Sequence, residues 1–300
     1  MIRTLFTTLL LLFWGWTSIQ ACDGCGCSMS SVYWGLLPNN SNHYVGLWWQ
    51  HQRYRTGLGN LDANPNNEWF NTVELRTRFL VHPKVQVIAI LPYAYHLRQQ
   101  DGTSTILSGV GDGIVMGSYT VLNTRDSLQS TIRHQLTLGG GLKLPTGRFE
   151  QMEADQTINP GFQLGTGSLD WLLNLGYTAR INRFGLNADL TYKKNTANEN
   201  DYRFGDRVSG ALSLFYMAAH RRWELMPNAG IFGEYARWDV QEGYYRTFTG
   251  GHALMGIVGL ELYNGPVNFG VNYNVPLQQE LNDGAIEARS RVSVHLNYFF

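Results

Sequence analysis

The sequence predicts an all-β fold: one transmembrane, antiparallel, up-and-down β-barrel of about twelve strands, preceded by a cleaved signal peptide. Three observations predict it. Segments of alternating apolar and polar residues recur after the first forty residues. The connections between them are alternately short and long. The chain opens on an export signal and closes on an aromatic-ended strand.

The export signal comes first. Arg3 supplies a positive n-region, Leu5 to Trp16 an apolar run of about a dozen residues, and Ala21 a small residue before cleavage. That run is too short to span a bilayer, and no later stretch approaches the roughly 20 apolar residues of a transmembrane helix. A membrane reading must therefore be a barrel reading. The predicted organisation is a signal peptide over 1–21, a cysteine-containing periplasmic segment over 22–42, and the barrel over 43–300.

Composition agrees. Charged residues are only 15% of the chain, glycines number 33, and aromatics reach 13%, which suits many short strands joined by Gly-rich turns. Lys plus Arg and Asp plus Glu balance at 23 each, so nothing points to nucleic acid as a partner.

The strands follow in order, near 43–56, 68–81, 84–97, 111–124, 130–144, 164–180, 183–195, 205–218, 222–238, 247–263, 265–276 and 288–300. In 132–144, Ile132, Leu136, Leu138, Leu142 and Leu144 alternate with Arg133, Gln135, Thr137, Gly139, Gly141 and Lys143. Val73, Leu75, Phe79 and Val81 alternate with Glu74, Arg76 and Arg78, and Leu186, Ala188 and Leu190 with Asn187 and Asp189. A membrane barrel turns the apolar set to lipid and the polar set to its lumen. The lumen candidates are Glu74, Arg76, Arg78, Arg133, Gln135, Lys143, Asn187, Asp189, Glu224, Glu234 and His295. Trp69, Tyr119, Trp171, Tyr177 and Trp223 suit aromatic girdles at the interfaces.

Short turns are expected at His82-Pro83, Thr124-Arg125-Asp126, Ile181-Asn182, Ala219-His220-Arg221 and Asn264-Gly265. Long loops are expected near 57–67, 98–110, 145–163, 196–204, 239–246 and 277–287. Short periplasmic turns and long extracellular loops are the asymmetry of bacterial outer-membrane barrels, with an even strand number and both termini periplasmic. The last strand (Val292, Val294, Leu296, Tyr298, Phe300) ends in an aromatic that fits a signal read by the barrel-assembly machinery. The expected location is the outer membrane of a Gram-negative-type bacterium.

Three motifs lie between 109 and 180: Gly109-Val110-Gly111-Asp112-Gly113, Leu142-Lys143-Leu144-Pro145-Thr146-Gly147, and Gln163-Leu164-Gly165-Thr166-Gly167-Ser168-Leu169-Asp170. In that order they resemble the MetA-pathway phenol-degradation family of outer-membrane transporter-like barrels. The resemblance implies a barrel that moves small, apolar molecules. Read for its residues alone, Pro145-Thr146-Gly147 is a strand ending in a long loop, because Pro lacks a ladder donor and Gly permits positive φ.

All three cysteines, Cys22, Cys25 and Cys27, follow the signal directly. Three readings stand: thiolates binding a soft ion such as Cu(I) or Zn, a disulfide pair with one leftover thiol, and lipidation of Cys22, for which Gln20 is a poor fit. The apolar stretch Met29 to Asn40 is a candidate plug for the periplasmic mouth. Ser293, His295 and Asn297 share one face of the last strand, the lumen face, and so read as lining rather than as a lipase.

The functional expectation is a non-enzymatic, passive channel for a small molecule or metal ion that needs no cofactor and is embedded in outer-membrane lipid. A metal-handling protein using the cysteine tail, and a structural or adhesin-like barrel without transport, are the alternatives.

Overall fold

The computed structural model describes residues 42–57, 65–100, 102–124, 132–149, 152–153, 156–157 and 159–300. The expected signal peptide, the cysteine segment with Cys22, Cys25 and Cys27, and the candidate plug Met29 to Asn40 lie outside the described residues.

Twelve strands form one ring. They are β1 (Tyr44–Thr56), β2 (Asn66–His82), β3 (Val85–Gln100), β4 in two pieces (Thr103–Val110 and Gly113–Asn123), β5 (Ile132–Leu144) and β6 (Asp170–Ile181). There follow β7 (Phe184–Lys194), β8 (Arg207–Tyr216, continued by Ala218–His220), β9 (Trp223–Ala236), β10 (Gly251–Asn264), β11 (Val267–Leu281) and β12 (Ile286–Phe299). Each pairs antiparallel with its sequence neighbours, and β1 closes on β12 from Tyr44↔Phe299 to Thr56↔Ile286. Closure leaves no strand edge, the condition for β-structure to sit in hydrocarbon, where nothing else can take the backbone hydrogen bonds. Among the described residues no helix is long and apolar enough to cross a membrane.

The pleat sorts the sequence as its alternation demands. Leu47, Leu173, Leu214 and Val258 lie outside at 55%, 60%, 62% and 65% exposure. Trp48 and Ser213 from two of the same strands, and Arg76 and Asn272 from two others, are buried inside. A soluble sheet protein does the reverse, so the outer surface has lipid as its solvent. Tyr119, Trp171 and Trp223 project from that surface, whereas Trp69 is half-buried under Arg53 and Tyr177 bonds His134.

Two expected long loops are instead strand. Residues 98–110 carry β3 and β4 outward as a ladder from Tyr93↔Val110 to Gln100↔Thr103. Residues 277–287 carry β11 and β12 to a turn at Asn282–Gly284. There the ladder is irregular between Asn274 and Leu281, near Pro276, which has no N–H to donate. The Gln279 amide substitutes for a rung: its Nε2 donates to the Ala288 carbonyl at 3.0 Å, and its Oε1 accepts the Ala288 N–H at 2.7 Å. These stretches read as loops because a strand beyond the bilayer is wetted on both faces and loses its apolar alternation. The expected strand 164–180 begins only at Asp170, because the residues before it turn into the barrel.

Candidate functional site: the barrel lumen

The three motifs meet inside the barrel. Between Tyr93↔Val110 and Ile90↔Ile114, β4 carries an extra residue, and Pro92 opposite offers only its carbonyl, which accepts the Gly111 N–H at 2.9 Å. The bulge turns Asp112 inward. The Asp112 carboxylate accepts the Gly147 N–H at 3.0 Å, the Thr166 N–H at 2.9 Å, the Thr166 hydroxyl at 2.8 Å and Lys143 Nζ at 2.8 Å. Lys143 also pairs with Asp170 at 2.8 Å and contacts the Thr166 hydroxyl. Asp170 in turn accepts the Ser168 hydroxyl at 2.9 Å and the Thr196 N–H at 3.0 Å. Two glycines let these segments touch: a Cβ on Gly165 would lie 2.6 Å from the Gly147 backbone and 2.7 Å from Asp112 Oδ1.

This latch holds residues 159–168 of the connection between β5 and β6 in the lumen. Its tip is a single 3₁₀ turn, Pro160–Phe162, started by Asn159, whose side chain accepts the Gly161 N–H at 2.9 Å. Phe162 is fully buried, with Phe70 and His96 at ring separations of 5.6 and 5.8 Å and the Arg98 guanidinium 4.3 Å from its centroid. Leu164 packs beside it. With Tyr54, Leu107, Phe232, Met255 and Leu281 they form an apolar cluster inside the long-loop half of the barrel. The expectation of a uniformly polar lumen is corrected here: the inward loop supplies Phe162 and Leu164, and the facing strands answer with apolar side chains.

Toward the short-turn rim the lumen is polar. The Trp48 indole lies between the Arg76 guanidinium at 4.0 Å and the His295 ring at 3.9 Å. Trp48 Nε1 donates to Asn297 Oδ1 at 2.9 Å, and His295 Nε2 meets Glu261 at 2.9 Å. Asn268 Nδ2 donates to that Glu261 oxygen, and Asn268 Oδ1 accepts from Asn297 Nδ2 at 2.8 Å. Gly270 leaves the space that the His295 ring occupies. On the opposite wall Thr178 donates to Asn187 at 2.9 Å, and Asn174 Nδ2 donates to Asp189 at 2.9 Å.

Of the residues singled out in the sequence, Arg76, Arg78, Lys143, Glu234 and His295 are buried inside the barrel. Glu74, Gln135, Asn187 and Asp189 are half-buried on the same inner face. Arg133 and Glu224 share the inward parity but are exposed at the short-turn rim. Glu74 pairs with Arg76 at 2.5 Å and Glu234 with Arg291 at 3.7 Å. Ser293, His295 and Asn297 all line the lumen, and His295 is engaged by Glu261 and Trp48. Asp112, Asp170 and Thr166 stood out in the sequence only as motif residues and not as lumen groups, and Phe162 and Glu261 were missed there. Periodicity carries no signal for the first four, which stand at a bulge, in a loop or at its end, while Glu261 was a single acid in an otherwise apolar strand.

Between the inward loop and the wall lies a cavity of about 160 Å³. Phe70, Ile90, Pro92, Ala94 and Leu164 form its apolar side, and Lys143, Lys193 and Arg207 stand across the ring. Among the described residues no cluster of His, Cys, Asp and Glu is placed to hold a metal ion.

The fold has solved counterparts. The chain is similar to the COG4313 outer membrane channel from Pseudomonas putida F1, with a TM-score of 0.67 and 13% identity over 89% of this chain and 100% of that one. The chain is an outer-membrane β-barrel. Its short turns are therefore periplasmic and its long hairpins extracellular. It also aligns with the β domain of the Bordetella autotransporter BrkA (TM-score 0.49, 11% identity, 86% of this chain and 100% of that one) and with the translocator domain of the autotransporter NalP from Neisseria meningitidis (0.44, 12%, 89% and 91%). No family model and no curated protein matches the sequence.

Proposed function

We propose that this barrel is a passive, non-enzymatic channel for small, largely apolar molecules. The observation that carries the reading is the 160 Å³ cavity, bounded by strands on one side and by a loop latched into the lumen on the other. A structural barrel needs no such loop, since the strands alone satisfy the backbone. The cavity is close to the roughly 150 Å³ that accommodates benzene in an apolar protein interior. Below it the half-buried wall of Gln135, Asn187 and Asp189 offers a polar descent past the Trp48 layer. The similar barrel from Pseudomonas putida F1 is itself an outer membrane channel. The motifs resembling the MetA-pathway phenol-degradation barrels are the latch residues, which supports membership of that group. Phe300, after the strand that closes the ring, fits the assembly signal.

The test is full-length protein refolded into proteoliposomes and planar bilayers. Uptake of a neutral monocyclic aromatic, benzyl alcohol, above that of protein-free vesicles, with discrete current steps, is expected. A silent bilayer together with vesicles no more permeable than lipid alone overturns the channel reading in favour of a structural barrel.

A further inference from the structure

The two sides of the cavity differ in a way that selects a ligand. Every carboxylate near it is engaged. Asp112 takes Lys143, Gly147 and Thr166; Asp170 takes Lys143, Ser168 and Thr196; Glu74 takes Arg76 at 2.6 Å through Nε. Asp239, in the extracellular loops beyond Lys193 and Arg207, accepts the Tyr202 hydroxyl at 2.5 Å and the Gly205 N–H at 2.7 Å. Lys193 is different. It sits opposite Arg207 on the β7–β8 ladder, both line the cavity, and its ammonium makes no hydrogen bond or ion pair with any described residue. The Asp112 and Asp170 carboxylates, both already engaged by Lys143, act on it only from a distance, and Arg207 and Lys143 oppose it. Lys193 stands at the rim of a hole whose other side sets a phenyl ring, a proline and aliphatic side chains among the polar groups of Gln52, Thr72 and His96.

We propose that the cavity is a binding site for a monocyclic aromatic carboxylate, with its ring against Phe70, Ile90, Pro92 and Leu164 and its carboxylate on Lys193 beside Arg207. This rests on the channel reading and names its substrate class. The anion supplies the direct ion pair that Lys193 does not make with any described residue, and the ring fills the volume that a small inorganic or aliphatic anion leaves unfilled. A neutral aromatic fits the wall and leaves Lys193 unmatched; a cation meets the wrong sign on that side.

The experiment is calorimetric titration of the refolded full-length protein with benzoate, benzyl alcohol and acetate, alongside proteoliposome uptake of the same three. Benzoate is expected to bind about tenfold or more tightly than either comparison compound, the difference that a hydrogen bond to a charged group makes. Lys193→Gln is expected to bring benzoate down to the benzyl alcohol level, and Lys193→Arg to keep the preference. Heat-modifiable electrophoretic mobility reports whether each variant closes its barrel; where Lys193→Gln does not, the wild-type ranking and the Lys193→Arg result decide. Equal affinity for benzoate and benzyl alcohol, or a preference that survives in folded Lys193→Gln, overturns the site. Vesicles impermeable to all three overturn the channel reading instead, because the calorimetric ranking does not depend on passage.

Discussion

Asp112→Ala should release the inward loop and leave the barrel standing. The carboxylate accepts four hydrogen bonds, from Lys143 Nζ, the Gly147 and Thr166 N–H groups and the Thr166 hydroxyl, and three of these come from the loop itself. Its side chain is 8% exposed and that of Lys143 7%. Removing one member of a buried, hydrogen-bonded ion pair costs about 3–5 kcal/mol. Lys143 keeps Asp170, so the lower end, about 3 kcal/mol, is the better figure. At about 1.4 kcal/mol per factor of ten, the docked-to-undocked ratio of the loop falls roughly a hundredfold. Asp112→Asn should fall nearly as far, because its amide nitrogen would face Lys143 or an N–H group as one donor against another. No rung of the ladder is lost, since Asp112 stands at the bulge. The assay is single-channel recording with limited proteolysis at the long-loop rim. Larger, noisier current steps and faster cleavage within 145–169 are expected, with heat-modifiable mobility unchanged. A variant with wild-type conductance and cleavage would refute the latch.

Three further outcomes follow from the same structure. Val258, at 65% exposure in the middle of β10, faces lipid, so Val258→Arg should lower stability by about 2–4 kcal/mol in a vesicle-based urea titration; a cost under about 0.5 kcal/mol would place that face out of the bilayer. Glu261→Ala leaves His295 Nε2 and Asn268 Nδ2 without their shared acceptor in a fully buried layer; the urea midpoint should fall by the equivalent of about 1–3 kcal/mol, and an unchanged midpoint would show that layer to be wet. At the extracellular rim, burial pushes the Asp206 carboxyl up, but Lys194 at 2.6 Å and the Asn195 N–H outweigh it and hold it below its ordinary 3.8. The folded rim thus favours the ionised form, and this stabilisation is present above pH 3.8 and lost as pH falls through the lowered value. Protection of the Asn195 amide should collapse in acid in the wild type and be low at all pH in Asp206→Asn; acid-insensitive protection in the wild type would contradict the assignment.

The sequence by itself determined the ring. Alternation along Ile132–Leu144 and Phe184–Lys194 settles which residues meet lipid, because side chains on a strand have period two and a one-residue slip would put Arg133 or Asp189 in hydrocarbon. With the alternation of short and long connections, that was enough for a closed barrel of about twelve strands. It failed at the extracellular edge, where 98–110 and 277–287 are strands wetted on both faces and periodicity has nothing to register. Only the tertiary structure decided what the lumen contains. Gly111-Asp112, Pro145-Thr146-Gly147 and Gly165-Thr166 are turn-like in sequence, and their purpose appears only when the register of β4, β5 and β6 brings Lys143 within 2.8 Å of both Asp112 and Asp170. The cavity likewise is built from strands on opposite walls of the ring, Phe70 and Ile90 against Lys193 and Arg207. Which wall faces which depends on closure and register together, a property of the whole sheet that no local segment encodes.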